Sequence, residues 1–121
     1  EVANQALDRA FNNPKIDAPS VLSIAQLYAA LGNVVKLEAA LERLTKVMPD
    51  SPEAWYDLAV LKCGVGKSPE ALTSLRQALD LSAKRLRTDP KARDLLASAR
   101  KEERFSMLRQ SPEFKKLVPP Q

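Results

Sequence analysis

Apolar side chains recur along this chain at the spacing that is typical of amphipathic helices. Between residues 18 and 31 they include Val21, Ile24 and Tyr28, at three- and four-residue intervals that place side chains on one face of a helix. The same periodicity continues over residues 34–47, 52–65, 69–86 and 90–103. The pattern predicts an all-α protein.

Residues that favour turns and helix caps separate these stretches. Gly32 and Gly66 each follow an apolar helical stretch, where glycine readily adopts the left-handed conformation that ends many helices. Ser51 and Ser68 each stand directly before a proline, and serine followed by proline is typical of the first turn of a helix. The helices are therefore predicted to form short-looped pairs.

These pairs repeat at an interval of 34 residues. Gly32 recurs as Gly66, Ala25 as Ala59, Ile24 as Leu58, Leu41 as Leu75, and Val47 as Leu81. A fixed period of this length predicts an array of small helical units that bury their apolar faces by stacking. We predict one domain over residues 1–121. Its parts are a partial repeat helix at 2–13, repeats at 18–51 and 52–85, and a partial repeat with capping helices at 86–121.

The second copy carries Trp55, Leu58, Gly66, Ala71 and Ala78, at positions where it resembles the tetratricopeptide repeat. The match departs from the usual pattern in that Lys62 takes a tyrosine position and Ala83 a proline position. The resemblance implies a right-handed α-solenoid in which the first helices of successive repeats line a concave groove that binds peptides.

Carried over position by position, the resemblance implies a partner-binding groove lined by Leu22, Ser23, Gln26, Glu53, Tyr56, Asp57 and Val60. Tyr56 would lie at its centre as an anchor, since tyrosine is favoured at interface hot spots. The alternative is an ordinary surface tyrosine. Ser23 and Asp57 replace the asparagines, and Glu53 the lysine, with which members of the family clamp a C-terminal carboxylate. The sequence therefore argues against that type of ligand.

The residue inventory argues against catalysis. There is no histidine, which removes the commonest general base and metal ligand. The single cysteine, Cys63, falls in an apolar stretch and is interpreted as a packing residue. The segment 64–68 contains Gly-Lys-Ser but lacks the upstream glycine and the preceding strand of a phosphate-binding loop. We expect no enzyme activity, no cofactor and no metal.

Positive charge is concentrated toward the end of the chain. The net charge is +4, made up of −2 over residues 1–83 and +6 over residues 84–121. Such a basic region suits an acidic protein, a nucleic acid or an anionic lipid surface, or is simply a solvated helix face. No aromatic stacking platform or groove-reading motif accompanies the charge, which argues against nucleic acid.

The sequence thus predicts a non-catalytic protein–protein interaction module that binds a peptide or protein in its concave groove. One alternative is self-association by end-to-end stacking, which would yield a homo-oligomer. A weaker alternative is binding of an anionic partner through the basic C-terminal helices. No apolar run in the sequence reaches the roughly 18 residues that a membrane-spanning helix needs. The sequence indicates neither the partner nor the cellular compartment.

Overall fold

The computed structural model describes Arg9, residues 11–12 and residues 15–119. Within these ranges the secondary structure is helical and contains no strand, so the all-α prediction is confirmed. The chain divides into two compact units, Glu1–Pro49 and Asp50–Gln121. Their boundary lies beside the position at which the sequence places the junction of its two repeats.

The first unit contains a pair of helices, α1 (Ala18–Ala30) and α2 (Val34–Val47). Asp17 caps α1, because its side chain accepts a hydrogen bond from the Ser20 backbone N–H at 2.9 Å. Asn33 caps α2 through the Lys36 backbone N–H in the same way. The buried residues are Val21, Ile24, Ala25 and Tyr28 on α1 and Ala40, Leu41, Leu44 and Thr45 on α2.

The second unit begins with a pair of the same design, α3 (Pro52–Gly64) and α4 (Ser68–Thr88). It continues with α5 (Leu95–Lys101), a 3₁₀ helix (Glu103–Leu108) and α6 (Pro112–Leu117). Within the ranges that the structure describes, no helix combines the length and the apolar character needed to cross a bilayer.

In each helical pair, the two helices are connected by the same type of turn. Gly32 and Gly66 have φ angles of +71° and +82°, a left-handed conformation that suits glycine. The backbone N–H of each glycine bonds to the carbonyl three residues earlier, and the N–H of the following residue to the carbonyl five residues earlier. This is the Schellman arrangement of helix ends. The 34-residue period therefore extends to the backbone hydrogen bonds.

The buried positions follow the same period. Six equivalent pairs are buried in both copies, and four of them are apolar in both: Ile24 and Leu58, Ala25 and Ala59, Leu41 and Leu75, and Leu44 and Ala78. At the other two positions the chemistry changes, since Lys62 replaces Tyr28 and Ser74 replaces Ala40 in the second copy. The Lys62 ammonium lies 2.8 Å from a carboxylate oxygen of Glu70, so its buried charge is partnered.

The end of the chain completes the core of the second unit. Leu95, Phe105, Leu108, Phe114 and Val118 are buried and join one apolar cluster with residues of α3 and α4. Whether this stretch caps a stack of repeats stays a prediction. A terminal helix that begins after Ser111 is confirmed, since Ser111 caps α6.

The prediction of a helix over residues 90–103 was wrong in its bounds. Helix α5 begins only at Leu95, because the Asp94 side chain accepts hydrogen bonds from the backbone N–H groups of Leu96 and Ala97. Glu102 then leaves the helix and caps the 3₁₀ helix. The predicted helix over residues 2–13 lies mainly outside the described residues, although Arg9 and Phe11 are helical.

Two polar side chains hold α5 in place. The Ser82 hydroxyl, on α4, accepts a hydrogen bond from the Leu95 backbone N–H at 3.1 Å. The Arg109 guanidinium donates to the Glu102 carbonyl at 2.7 Å, at the other end of the helix. Because both ends of α5 are attached, the segment from Leu95 to Val118 has a defined path across the second unit.

Candidate functional site

Three of the predicted groove residues lie on α1 in the first unit. Leu22, Ser23 and Gln26 are all exposed, and 41% of the surface of Leu22 is accessible to solvent. They occupy the side of α1 opposite its buried residues. This side of the helix, which we call the α1 face, presents one apolar and two neutral polar side chains.

The other four predicted groove residues, Glu53, Tyr56, Asp57 and Val60, lie on α3 in the second unit. Tyr56 is only 2% exposed, which differs from both sequence interpretations, the exposed anchor and the surface tyrosine. The reason is tertiary, because the 3₁₀ helix packs against α3 on the side that carries Tyr56. A side chain enclosed in this way cannot contact a partner unless the covering segment moves.

The surroundings of Tyr56 are mixed in character. Its ring meets that of Phe105 edge-on, with ring centres 5.5 Å apart, a favourable geometry for aromatic pairs. Its hydroxyl donates to a carboxylate oxygen of Glu102 at 3.2 Å. Burial, with the nearby Glu102 charge, raises the pKa of Tyr56 to about 12. The residue therefore remains a neutral phenol across the physiological range.

Glu53 and Val60 are also engaged within the second unit. Glu53 accepts two hydrogen bonds from the Arg85 guanidinium, at 2.9 and 2.7 Å. These bonds hold the pKa of Glu53 below its usual value. Val60 is half-buried against the apolar cluster. Two more of the predicted groove residues thus serve the packing of their own unit.

Asp57 is the exposed member of this group. Neighbouring protein atoms nevertheless desolvate its carboxyl enough to raise its pKa, while the positive charges of Arg104 and Arg93 act in the opposite direction. Asp57 is therefore the predicted groove residue of α3 that remains accessible for a polar contact.

Glu102 links the 3₁₀ helix, which covers Tyr56, to α3. Arg104 donates two side-chain hydrogen bonds to its carboxylate, at 2.9 and 2.8 Å, and Tyr56 donates a third. The Arg104 bonds are the main reason that the pKa of Glu102 falls to about 2. Sequence reasoning missed this group because Tyr56 and Glu102 are far apart along the chain, and the last segment has no equivalent in either repeat.

Groups with catalytic potential are sparse. Cys63 is 1% exposed, and burial raises the pKa of its thiol, which disfavours the reactive thiolate. Across the described ranges, no cluster of three or more Cys, Asp or Glu is placed to hold a metal ion. The Gly-Lys-Ser stretch forms the turn between α3 and α4, with a helix and not a strand before it.

The structure also contains a cleft that sequence reasoning did not predict. It lies beside α5 and α6, has a volume of about 560 Å³, and is lined by apolar residues and by four cations, Arg100, Lys101, Arg109 and Lys115. A second cleft of about 490 Å³ lies beside α4 and α6 and is lined by residues that include Arg76 and Glu113. The basic composition of residues 84–121 was the available signal for the first cleft.

Comparison of the chain with protein-family models, with curated proteins and with solved structures finds no match.

Proposed function

We propose that the chain is a non-catalytic protein-binding module whose two helical pairs stack as tetratricopeptide-like repeats in a right-handed solenoid. The supporting observation is the repetition of one helical pair at 34 residues, down to the φ angle and hydrogen bonds of the glycine turn. Repeats of this size bury their apolar faces against neighbours and leave an extended surface for partners.

The α1 face is the surface that we assign to the partner. Leu22, Ser23 and Gln26 are exposed, whereas the corresponding side of α3 carries the buried Tyr56 and the paired Glu53. The anchoring role predicted for Tyr56 therefore passes to Leu22, an exposed apolar side chain between polar neighbours. A short peptide with an apolar residue suits such a surface.

Selection from a random peptide display library, followed by fluorescence anisotropy on the selected peptides, tests this proposal. We expect Leu22→Asp to weaken binding by about tenfold, since a charge replaces a buried apolar contact in the complex. Leu27→Asp is the matched control, because Leu27 is also an exposed leucine of α1, with 51% of its surface accessible, and lies on another side of the helix. Equal affinities for both variants, or no selected peptide at all, would overturn the assignment.

A second candidate function is self-association, which a different set of side chains favours. Leu27, Leu31, Val34 and Val35 are exposed around the Gly32 turn, and Val35 is 77% exposed. Apolar groups gathered at one end of a helical pair favour contact with another apolar surface. Light scattering over a range of concentrations should then show a dimer that Val35→Lys dissociates and Leu22→Asp leaves intact. A constant monomer mass would exclude this function.

A further inference from the structure

The basic cleft of the second unit is a surface separate from the α1 face. Its apolar floor is accessible at Ala97 and Pro119, because Phe114 and Val118, which also line the cleft, are buried, with 2% and 5% of their surface exposed. Arg100 and Lys101 come from α5, Arg109 from the connection after the 3₁₀ helix, and Lys115 from α6. Its volume of about 560 Å³ lies within the range of ligand-binding sites.

The positive charges around this cleft are not neutralised by carboxylates. Lys101 and Lys115 are exposed and have no ion-pair partner among the described residues. Arg100 donates to the Pro119 carbonyl at 3.0 Å, and Arg109 to the Glu102 carbonyl at 2.7 Å. These bonds orient the two guanidinium groups and leave their charge uncompensated. None of the described residues that line the cleft is acidic.

The apolar floor and the rim of four cations together limit the kind of ligand that the cleft can bind. The recessed apolar floor calls for an apolar group, and cations from three separate elements call for several negative charges spread over some distance. An extended peptide with acidic residues on both sides of an apolar residue offers both, since it carries several carboxylates and one apolar side chain. Charge complementarity of this kind favours association with the correct partner.

Nucleic acids and membranes fit the cleft less well. Single-stranded nucleic acids bind where aromatic rings are open for base stacking. Here the Phe114 ring is buried, with the Arg109 guanidinium 5.6 Å from its centre and the Phe105 ring 6.0 Å away. Binding to a lipid surface relies on large apolar side chains that protrude into the interface, whereas the accessible apolar residues of this cleft are one alanine and one proline.

We infer that the cleft beside α5 and α6 binds an acidic peptide segment, with one apolar side chain seated on Ala97 and Pro119 and flanking Asp or Glu residues paired with the four cations. This inference goes beyond the proposed function, because it concerns a different unit and different residues. It stands or fails independently of the α1 face.

Fluorescence anisotropy of the full chain with the labelled peptide EEELEEE tests the inference at roughly 50 and 200 mM salt. The double variant Lys101→Glu, Lys115→Glu should weaken binding by about tenfold or more, because it reverses two of the four rim charges. The control Lys84→Glu, Lys91→Glu makes the same change in net charge at exposed lysines outside the cleft. It should change the affinity by less than about twofold. The peptide EEEGEEE, which lacks the apolar side chain, should bind several-fold more weakly than EEELEEE.

Three results would overturn the inference. Equal loss in the two double variants would mean that the peptide responds only to overall charge. Equal affinity of EEELEEE and EEEGEEE would mean that the apolar floor has no role. Tighter binding of a single-stranded oligonucleotide or of phosphatidylserine vesicles, abolished by the Lys101 and Lys115 changes, would assign the cleft to another class of partner. Circular dichroism of each variant establishes that the fold is retained.

Discussion

Phe105 joins two aromatic contacts in the second unit. It is fully buried, and its ring lies 5.5 Å from that of Tyr56 and 6.0 Å from that of Phe114, edge-on to both. Through these contacts one side chain connects α3, the 3₁₀ helix and α6. The packing of the C-terminal segment therefore depends strongly on this residue.

We expect Phe105→Ala to destabilise the second unit by about 3 to 5 kcal/mol, the usual cost of truncating a buried phenylalanine. Met107→Ala is the control, since Met107 is 67% exposed on the same 3₁₀ helix and should change stability by no more than about 0.5 kcal/mol. Urea unfolding followed by the fluorescence of Trp55, the single tryptophan, reports on this unit. Similar midpoints for the two variants would contradict the central role of Phe105.

Glu102 gives the stability of the second unit a dependence on acid pH. Its pKa is about 2 in the folded chain and near 4.5 when unperturbed. The folded state therefore gains stability above pH 4.5 and loses it as the pH falls through 4.5 toward 2. Since the Arg104 side chain is 65% exposed, solvent screens the pair, and we expect a contribution of about 1 kcal/mol or less.

Glu102→Gln removes the charge and keeps the shape of the side chain, although its one amide oxygen can accept only one of the two bonds that the Tyr56 hydroxyl and the Arg104 backbone N–H make to separate carboxylate oxygens. The pH dependence of the stability difference, and not its size at one pH, therefore isolates the effect of the charge. The variant should be less stable than the natural chain at pH 7, and the difference should shrink as the pH approaches 2. Urea midpoints measured across this pH range provide the check. A difference that stays constant with pH would show that the Glu102 charge has no stabilising role.

Among the secondary-structure elements, the helical pair is the repeated unit of the chain, and its turn is the most sharply defined part. Local chemistry accounts for it: Asp17 and Ser51 cap α1 and α3, and a left-handed glycine ends each helix. These signals act over three to five residues, so they operate in the same way at α1 and α3, and the bounds of these two helices follow closely from the sequence. The second helices differ at their start, because Asn33 caps α2 whereas α4 has no side-chain cap.

Gly66→Ala should destabilise the second pair by about 1 to 2 kcal/mol, because alanine is strained in the left-handed conformation. An added methyl group has open space at this position, so the cost arises from the backbone alone. Gly64→Ala is the control: it lies at the helical end of α3, also in open space. It should leave stability unchanged or raise it by roughly 0.5 kcal/mol. Denaturant unfolding that gives equal effects for the two variants would contradict the role of the turn.

Helix α5 shows the opposite behaviour, since its start is set by a specific cap and its position by a distant partner. Asp94 caps the helix, so the helix begins at Leu95 and not at Pro90. The Ser82 hydroxyl on α4 then accepts a hydrogen bond from the Leu95 backbone N–H. Neither interaction can be inferred from the spacing of apolar residues over residues 90–103. The periodicity therefore overestimated the length of this helix.

At the scale of the whole molecule, the second unit has an apolar core of its own, as a segment that folds independently requires. Its apolar cluster of twelve buried residues draws on α3, α4, α5, the 3₁₀ helix, α6 and Val118, all between Asp50 and Gln121. The ion pair between Glu53 and Arg85 is internal to the same unit.

We therefore expect the fragment 50–121 to keep a helical circular dichroism spectrum and to unfold cooperatively. The fragment 50–94 is the control: it lacks Leu95, Ala99, Phe105, Leu108, Phe114 and Val118, half of the cluster, and should unfold without a cooperative transition. Loss of cooperativity in fragment 50–121 would show that its core requires the preceding residues.

The sequence by itself determined the all-α class, the bounds of the first four helices and the 34-residue repetition, because periodicity, caps and left-handed glycines act over a few residues. It also indicated a basic C-terminal region. Only the tertiary structure decided the fate of Tyr56, which is covered by Phe105 and bonded to Glu102, and the assembly of four cations around an apolar cleft. Both depend on contacts between segments far apart in the chain, which local patterns do not specify.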